Sequence, residues 1–344
     1  MNEIALLDRF KGAVIGVLEG DAIGAPYEKA FSATQIAADI EKRGGLKFFD
    51  YPDPWVKKGL EPEMFPAGRP TDDSDQTADL AWSLITCNGL DPNHLREALR
   101  DSVVRGKSRL WPGVAKGAGG TTRKALSDDP AKVEEAMQNN IGTNGSLMRS
   151  VPMALWLRGK IDSGRALENI GGSFYHPSEL IWKMSSVTHA NKDSKMACVI
   201  YCSILDRILM DTHPRYREHA KKMVYWMVTK KQFESSDLYL RIHEKLIDDT
   251  LISIDPGQWP EQGTAEFSLY VALWCFKNST SFEDGIEKAV RIGGDTDTYA
   301  AIAGGLLGAF YGYEAIPLEW RQTILGHDVM VDYAEKLYEM NQRM

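Results

Sequence analysis

The sequence predicts an all-α fold. Apolar residues recur at steps of three or four positions through most of the 344-residue chain, which is the spacing of a helix face that packs on a core. Few segments alternate with period two, and Val- and Ile-rich runs of strand length are scarce. With 43% hydrophobic and 26% charged residues, the composition is that of an ordinary globular protein. We therefore expect about a dozen helices in a single compact domain that spans residues 1–344.

The first predicted helix begins near Ile4 and is expected to end near Gly20. Its apolar face is formed by Ile4, Leu7, Phe10, Val14 and Val17. The same spacing predicts further helices after Thr71 (Leu80, Leu84) and in the segments Leu147 to Leu157, Ile181 to Met210 with a break at Asn191, Tyr216 to Met227, Leu238 to Leu251, Ala265 to Phe276, Ala300 to Phe310 and Val329 to Leu337.

Three connecting segments differ from simple turns between helices. Phe48 to Pro70 and Arg105 to Thr122 are rich in Pro and Gly and longer than a compact helical domain needs, and such loops often contribute to function. Asp206 to Gln262 is more charged than its surroundings. We interpret residues 206–262 as a helical elaboration that serves as a lid or a partner surface.

Charge and composition exclude several classes of protein. A net charge of −8 argues against a broad basic face for nucleic acid. Glu3 and Asp8 do not fit a secretory signal, and the uncharged stretch Thr298 to Tyr313 is shorter than the ~20 residues of a spanning helix. We expect a cytoplasmic protein with no membrane partner. Its four cysteines lie in apolar stretches and are expected to be reduced: Cys87, Cys198, Cys202 and Cys275.

The first cluster of polar residues is Thr71-Asp72-Asp73-Ser74-Asp75, at the start of a predicted helix. Helix capping is one explanation, since Thr and Asp side chains accept hydrogen bonds from the free N–H groups of a first turn. A single cap does not need three carboxylates, however. A second role for this cluster therefore remains open.

The second cluster, Gly293-Gly294-Asp295-Thr296-Asp297-Thr298, has the same design and precedes a helix whose small residues, Ala300 to Gly305, allow close packing. If the two clusters converge, carboxylates ~4 Å apart would repel by ~4 kcal/mol per pair, and bound cations would compensate. Oxygen ligands without His or Cys favour Mg²⁺ or Mn²⁺ over Zn²⁺. An EF-hand loop starting at Asp73 is excluded, because Ala78 and Leu84 stand where Gly and Glu are required.

Five segments, in this order, resemble the ADP-ribosylglycohydrolase family, and the resemblance spans most of the chain. They are Gly20-Asp21-Ala22-Ile23-Gly24-Ala25-Pro26-Tyr27-Glu28, Thr71-Asp72-Asp73, Gly142-Thr143-Asn144-Gly145-Ser146-Leu147-Met148-Arg149, Thr188-His189 and Gly293-Gly294-Asp295-Thr296-Asp297-Thr298. The resemblance implies an all-α domain in which ADP-ribose lies between helices beside a pair of Mg²⁺ or Mn²⁺ ions. The implied metal ligands are Thr71, Asp72, Asp73, Asp295, Asp297 and Thr298.

The resemblance also implies roles for residues outside the two acidic clusters. It places Glu28 beside the metals and the released ribose, and His189 near the diphosphate or ribose. By residue type alone, Glu28 could be a surface acid and His189 a core histidine.

Two glycine-containing segments are the remaining candidates for binding substrate. Asn144, Gly145 and Ser146 precede the helix predicted from Leu147, whose start could bind phosphate through backbone N–H groups; an ordinary Gly-Asn turn is the alternative. Gly117, Gly119 and Gly120 resemble the family's Gly-rich stretch on the ribose and adenine side. No Gly-Lys-Ser or Gly-Lys-Thr is present, so a P-loop is excluded.

The implied activity is hydrolysis of the bond between the ribose anomeric carbon of ADP-ribose and an acceptor, with an ADP-ribosylated arginine of a protein as the expected substrate and ADP-ribose as the product. Glu28, Asp73 or Asp297 would take the proton of the attacking water. Other acceptors remain open, namely serine, a nucleic-acid end or a small metabolite, although the acidic chain disfavours nucleic acid. A non-catalytic ADP-ribose-binding module is a further alternative. One hypothesis for a partner is a cognate ADP-ribosyltransferase or toxin whose modification the enzyme reverses.

Overall fold

The computed structural model of the chain describes residues 5–28, 31–54, 63–138, 141–163, 165–169, 172–210, 237–248 and 263–344. Fifteen α-helices lie in these ranges, and the only strands among the described residues are four of two residues each, so the predicted all-α class is confirmed. The helices are α1 Leu6–Gly24, α2 Ala33–Arg43, α3 Asp72–Cys87, α4 Pro92–Val103, α5 Gly120–Ala125, α6 Pro130–Met137, α7 Val151–Trp156, α8 Pro177–Ser186, α9 Lys192–Met210, α10 Asp237–Asp248, α11 Ala265–Asn278, α12 Phe282–Arg291, α13 Thr296–Tyr311, α14 Leu318–Thr323 and α15 His327–Arg343.

The short strands form two antiparallel hairpins at the edge of the helical structure. Strand β1 (Tyr51–Pro52) pairs with β2 (Met64–Phe65), and β3 (Leu167–Glu168) pairs with β4 (Phe174–Tyr175). The first hairpin lies within the connection from Phe48 to Pro70 that the sequence marked as unusually long.

Helices α1 and α13 pack against each other in the centre of the core. A Cβ added to Gly16 would lie 2.1 Å from the carbonyl oxygen of Gly304, and one added to Gly24 would lie 2.5 Å from that of Thr296. As the residue number increases along α1, that of the contacted residue in α13 decreases, so the two helices are antiparallel. The close packing expected from Ala300 to Gly305 is confirmed. This arrangement brings the end of α1 beside the start of α13.

The first helix does not end near Gly20 as the sequence predicted but continues to Gly24. A Cβ on Gly20 would lie 2.1 Å from the carbonyl oxygen of Ala300. The glycines of α1 therefore permit backbone contact with α13 and do not end the helix. Tertiary packing overrides the low helix propensity of glycine here.

The helix predicted from Leu147 to Leu157 is wrong in its first half, because α7 begins only at Val151. The preceding residues form tight turns in which the N–H groups of Leu147 and Met148 both donate to the carbonyl oxygen of Asn144, at 2.8 and 3.2 Å. Apolar spacing alone does not distinguish such buried turns from a helix.

The other described helical predictions are confirmed, with α8 and α9 separated at Asn191 as expected. The segment Tyr216 to Met227 lies outside the described residues, as does most of the elaboration at 206–262, of which 206–210 and α10 are described. The helices that the apolar spacing did not reveal are α2, α4, α5, α6, α12 and α14.

The described core holds the cysteines as reduced residues. Cys198, Cys202 and Cys275 are buried and Cys87 is partly buried, and all four are free thiols, as predicted. Among the helices of the described ranges, none has the length and apolar character needed to cross a membrane.

Candidate active site

The two acidic helix starts meet beside the end of α1. Asp21, in the last turns of α1, accepts hydrogen bonds from the N–H and hydroxyl groups of Thr71 at 2.9 and 2.6 Å. It accepts two more from the same groups of Ser74, at 3.0 and 2.6 Å. From the other start, the Thr298 hydroxyl lies 3.4 Å from Oδ2 of Asp73, a residue 225 positions earlier in the chain. Helix α1 thus joins the beginnings of α3 and α13.

Five carboxylates form one acidic cluster at this junction. Oxygen atoms of Asp21, Asp73 and Asp297 lie within 4.8 Å of one another. Oxygen atoms of Glu28, Asp295 and Asp297 form a second group of the same size. Asp297 belongs to both groups, so they are continuous. All except Glu28 are buried.

Helix capping does not account for these residues. Thr71 and Asp295 occupy the N-cap positions of α3 and α13, but neither side chain makes a capping hydrogen bond. The Thr71 hydroxyl donates to Asp21 instead. One oxygen of Asp295 accepts a hydrogen bond from the side-chain amide of Asn144 at 2.7 Å. The capping alternative is therefore rejected at both helix starts.

The cluster is electrostatically strained without a counter-charge. Burial raises the pKa of Asp21 to about 6, even though it accepts hydrogen bonds from four donor groups. Burial, together with repulsion from neighbouring carboxylates, raises the pKa of Asp72, Asp73 and Asp297 well above the ordinary value. Oδ1 of Asp73 is buried and has no hydrogen-bond partner. A buried carboxylate oxygen without a donor is costly unless a cation is near it.

The residues present fit hard divalent cations. Both groups consist of carboxylates, and neither contains a His or Cys ligand within the described residues. Oxygen-only ligand sets suit Mg²⁺ or Mn²⁺ better than Zn²⁺. The unpartnered oxygen of Asp73 is a free ligand position in this set.

A cavity of about 170 Å³ opens beside the cluster. It is lined by all the residues that the sequence singled out except Thr71 and Ser146, namely Glu28, Asp72, Asp73, Gly117, Gly119, Gly120, Asn144, Gly145, His189, Asp295, Asp297 and Thr298. The Thr71 hydroxyl points to Asp21, and the Ser146 hydroxyl accepts a hydrogen bond from Ser185 at 2.8 Å. The structure thus gathers twelve of these fourteen residues around one opening.

The Gly-rich loop approaches the cluster at Gly117. Its φ is +111°, and a Cβ at this position would lie 2.5 Å from Oδ1 of Asp72. Only glycine combines this backbone conformation with so close an approach. A second cavity, of about 340 Å³, adjoins the first and shares Asp72 and Gly117 with it, and its lining includes Lys116 and Arg123.

The segment from Gly142 to Ser146 is fastened to the start of α11 and to α13. The backbone N–H of Asn144 donates to the carbonyl oxygen of Gly263 at 3.0 Å. Its side-chain amide donates to Ser268 at 2.9 Å and to Asp295 at 2.7 Å. The expected helix start at Leu147 is absent, since α7 begins at Val151. A helix N-terminus therefore does not follow this segment directly.

His189 is 2% exposed and lines the cavity, and only one of its two ring nitrogens has a hydrogen-bond partner in the protein. Nδ1 lies 2.7 Å from the Thr188 hydroxyl, while the buried Nε2 has no hydrogen-bond partner. Burial and the nearby Arg149 guanidinium lower the pKa of His189 to about 3. The imidazole is therefore neutral at physiological pH.

The family model described as ADP-ribosylglycohydrolase matches residues 2–344. The chain belongs to the ADP-ribosylglycohydrolase family. It is 24% identical to the ADP-ribosylhydrolase ARH3 of Danio rerio, over 98% of this chain and 92% of that protein. It is also 24% identical to the ADP-ribosylarginine hydrolase Tri1 of Serratia proteamaculans, over 97% of this chain and 80% of that protein. A solved "ADP-ribosylglycohydrolase-related protein complex" matches with a TM-score of 0.65 and 28% identity, covering 98% of this chain and 99% of that one.

The resemblance inferred from the five segments is thereby confirmed, and the chain is a hydrolase of the ADP-ribosylglycohydrolase family. Four buried polar residues at the site have no role that the sequence predicted, namely Asp21, Gln76, Arg149 and Thr188. One signal could have revealed Asp21, since it is a charged residue in an otherwise apolar stretch of helix from Ala13 to Ala25 that contains only one other, Glu19. Nothing comparable marks Gln76, which depends on contacts with distant residues.

Proposed function

We propose that this chain removes ADP-ribose from an ADP-ribosylated arginine of a protein by hydrolysing the bond at the ribose anomeric carbon. The observation that carries the proposal is the oxygen-only cluster itself, in which α1, α3 and α13 bring carboxylates together around one cavity. Two relatives with whole-chain similarity support it by name, since one is an ADP-ribosylhydrolase and the other an ADP-ribosylarginine hydrolase.

In this proposal, two Mg²⁺ or Mn²⁺ ions occupy the acidic cluster. The proposed ligands are Thr71, Asp72, Asp73, Asp295, Asp297 and Thr298. Bound there, such ions supply positive charge that offsets the carboxylates and polarises the ribose hydroxyls and the attacking water. Asp21 holds Thr71 and Ser74 in place through five hydrogen bonds and adds a further carboxylate beside Asp73.

The proposed reaction needs a base for the attacking water and a proton for the departing guanidine nitrogen. A water oxygen bonds to the anomeric carbon while the carbon–nitrogen bond breaks through an oxocarbenium-like state, and the bonding electrons leave with the guanidine nitrogen. One of Glu28, Asp73 and Asp297 accepts the water proton and returns it to the departing guanidine nitrogen, so the proton released from water is the one that the leaving group takes up. All three carboxylates line the cavity.

The charge of the cavity supports an arginine acceptor. The smaller cavity is lined by five acidic residues, and no Lys or Arg occurs in its described lining. Two divalent ions would offset most of this charge, and Glu28, which is partly exposed, would still offer a guanidinium group a carboxylate at the opening. A nucleic-acid end would bring further phosphate to a chain of net charge −8.

Neutral donors around the same opening are the proposed contacts for ADP-ribose. Gly119, Gly120 and Gly145 line the opening, and His189 presents a buried nitrogen without a partner. Asn144 also lines it, but its N–H groups donate to Gly263, Ser268 and Asp295, so its proposed role is to hold Gly145 in place. Backbone N–H groups and a neutral imidazole bind phosphate or hydroxyl oxygens without adding a basic patch.

The experiment offers the purified chain three substrates, ADP-ribosylated arginine, serine and DNA ends, each with Mg²⁺, Mn²⁺ or EDTA, and measures free ADP-ribose by chromatography. We expect metal-dependent release from arginine that Asp297→Asn abolishes. Asp332→Asn serves as the control, because the Asp332 side chain on α15 is 48% exposed and pairs with Lys336 away from the cavity.

Other results would change the proposal in defined ways. Release from serine or DNA ends alone overturns the arginine assignment and keeps the chemistry. Binding of ADP-ribose without turnover of any substrate favours the non-catalytic module. The proposed link to a cognate ADP-ribosyltransferase or toxin is tested by offering a target protein modified by that transferase.

A further inference from the structure

A continuous chain of buried hydrogen bonds links Asp72, the neighbour of Asp73 in the acidic cluster, to His189. Gln76 in α3 donates from Nε2 to Oδ2 of Asp72 across 2.6 Å, and its Oε1 accepts from Nη1 of Arg149 at 2.8 Å. Arg149 also donates from Nη2 to the Thr188 hydroxyl across 2.7 Å, and this hydroxyl lies 2.7 Å from Nδ1 of His189. None of the five residues is more than 7% exposed.

The chemistry of the groups fixes the direction of the bonds that Arg149 makes, and the direction of the Thr188–His189 bond is inferred from them. A guanidinium can only donate, so the Thr188 oxygen accepts from Arg149. The Thr188 oxygen could also accept from an Nδ1–H, but its own hydroxyl proton would then have no acceptor among the described residues, whereas donation to Nδ1 of His189 satisfies it. Because Nδ1 accepts, it carries no proton, and the single proton of the neutral imidazole is on Nε2.

Nε2 is the nitrogen that lines the cavity without a partner. It is buried, and no protein atom in the described residues accepts its hydrogen. A buried N–H group without an acceptor is destabilising, so its retention needs an oxygen from outside the protein. The low pKa of His189, caused by burial and by Arg149, agrees with a neutral ring that offers one donor only.

We propose that Arg149 and Thr188 are positioning residues that hold His189 in the Nε2–H tautomer, with that N–H aimed at a phosphate or hydroxyl oxygen of the bound ligand. Gln76 completes the arrangement by orienting Arg149 from the side of Asp72. The inference rests on the proposed function only where it names ADP-ribose as this ligand.

A purely structural role for the chain predicts a different outcome from a positioning role. Thr188→Val keeps the shape of the side chain and removes the hydroxyl, whereas Thr188→Ser keeps the hydroxyl. If Thr188 only fills space, Val should serve as well as Thr. If it fixes the tautomer, Ser should restore what Val loses.

The tautomer can be read directly in protein labelled with ¹⁵N-histidine. The sequence has seven histidines, and the loss of one imidazole signal in His189→Gln assigns the residue. Two-bond ¹H–¹⁵N spectra distinguish the two neutral tautomers without any substrate. We expect the Nε2–H pattern in the wild type and in Thr188→Ser, and its loss or mixture with the Nδ1–H form in Thr188→Val.

Calorimetry with free ADP-ribose and Mg²⁺ gives the second readout. The loss of one well-placed hydrogen bond should weaken binding roughly fivefold in Thr188→Val and by less than about twofold in Thr188→Ser. An Nδ1–H or charged His189 in the wild type at neutral pH would overturn the proposal, and so would wild-type tautomer and affinity in Thr188→Val. If Thr188→Val does not fold, the wild-type and Thr188→Ser spectra still decide.

These readouts separate the inference from the proposed function. A wild type that binds ADP-ribose but releases it from no substrate overturns the enzymatic proposal and leaves the tautomer result standing. A wild type that turns over ADP-ribosylated arginine while His189 is in the Nδ1–H tautomer overturns this inference and leaves the enzymatic proposal standing.

Discussion

Replacing Asp73 by Asn should separate metal binding from folding. Asp73 is 1% exposed, its Oδ1 has no hydrogen-bond partner, and the hydroxyl of Thr298 is 3.4 Å from its Oδ2. Asn keeps the shape of the side chain and removes its charge. If the cluster exists to hold cations, the substitution removes a ligand while it relieves repulsion in the metal-free protein.

The expected change in the stability of the metal-free protein follows from the spacing of the carboxylates. Oxygens of Asp73, Asp21 and Asp297 lie within 4.8 Å of one another. At that distance and an effective dielectric of about 20, each ionised pair repels by about 3.5 kcal/mol. Raised pKa values let the metal-free cluster relieve part of this by taking up protons. We therefore expect metal-free Asp73→Asn to be more stable than the wild type by about 1–3 kcal/mol, or about 1.5–4 °C in Tm for a chain of this length.

Thermal unfolding with EDTA and with Mg²⁺ or Mn²⁺ tests this expectation. At a metal concentration about one hundred times Kd, the wild type should gain about 2.7 kcal/mol, or about 4 °C, and Asp73→Asn should gain little. The matched control is Asp75→Asn, which is also buried in the first turn of α3 but bonds Ser108 at 2.5 Å and belongs to neither carboxylate group. A metal-induced rise in Tm of Asp73→Asn equal to that of the wild type would falsify the metal assignment. A metal-free Tm several degrees lower would refute the repulsion argument.

Three further substitutions test other parts of the structure. Gly117→Ala places a Cβ 2.5 Å from Oδ1 of Asp72 at a φ of +111° and should weaken Mn²⁺ binding at least about tenfold in calorimetry. Gly119→Ala is the control, because its Cβ meets no atom within 4 Å and its Mn²⁺ affinity should not change. Equal affinities of the two variants would contradict the steric reasoning. Gly16→Ala places a Cβ 2.1 Å from the carbonyl oxygen of Gly304 and should lower Tm by at least about 1.5–4 °C. Gly120→Ala is the control and should leave Tm unchanged, because no atom lies within 4 Å of its Cβ. An unchanged Tm in Gly16→Ala would mean that α1 and α13 are not in contact at this position. Burial raises the pKa of Asp79 from 3.8 to about 7, even though Arg109 at 2.8 Å and the Ser102 hydroxyl favour its ionised form. The stability that the protonated side chain contributes is therefore lost as pH rises from about 4 to about 7, and Asp79→Asn should make that decline shallower in urea unfolding with EDTA. An equally steep decline would show that the Arg109 ion pair compensates for the burial of Asp79.

Local patterns in the sequence were enough for the fold class and for the residue types of the site. Apolar steps of three and four predicted most of the long helices, since helix amphipathicity is set by residues within one or two turns. The same logic failed at Leu147, where turns held by Asn144 and Arg149 produce similar spacing. It failed again at Gly20, because the glycine that ends an isolated helix is here required for contact with α13.

The acidic motifs were recognisable because each is contiguous and lies at a helix start. Their family resemblance also came from short segments in a fixed order, and the whole-chain family match bears it out. Pattern alone could not show that the Asp72-Asp73 and Asp295-Asp297 pairs face one another. That depends on α1, which bonds the start of α3 through Asp21 and packs against α13 along its glycines.

The order of residues along the chain is enough to predict which chemical groups the site contains: carboxylates, hydroxyls and glycines, at helix starts and tight turns. How these groups act together depends on folding, which makes Asp21 organise the cluster, bonds Ser146 to Ser185 away from the cavity, and brings Arg149 and Thr188 to face His189. The two kinds of information differ in the range of the interactions involved. Helix formation and turn chemistry are fixed by neighbours in the chain, whereas repulsion between carboxylates and the direction of a hydrogen-bond chain depend on atoms that folding brings within a few ångströms.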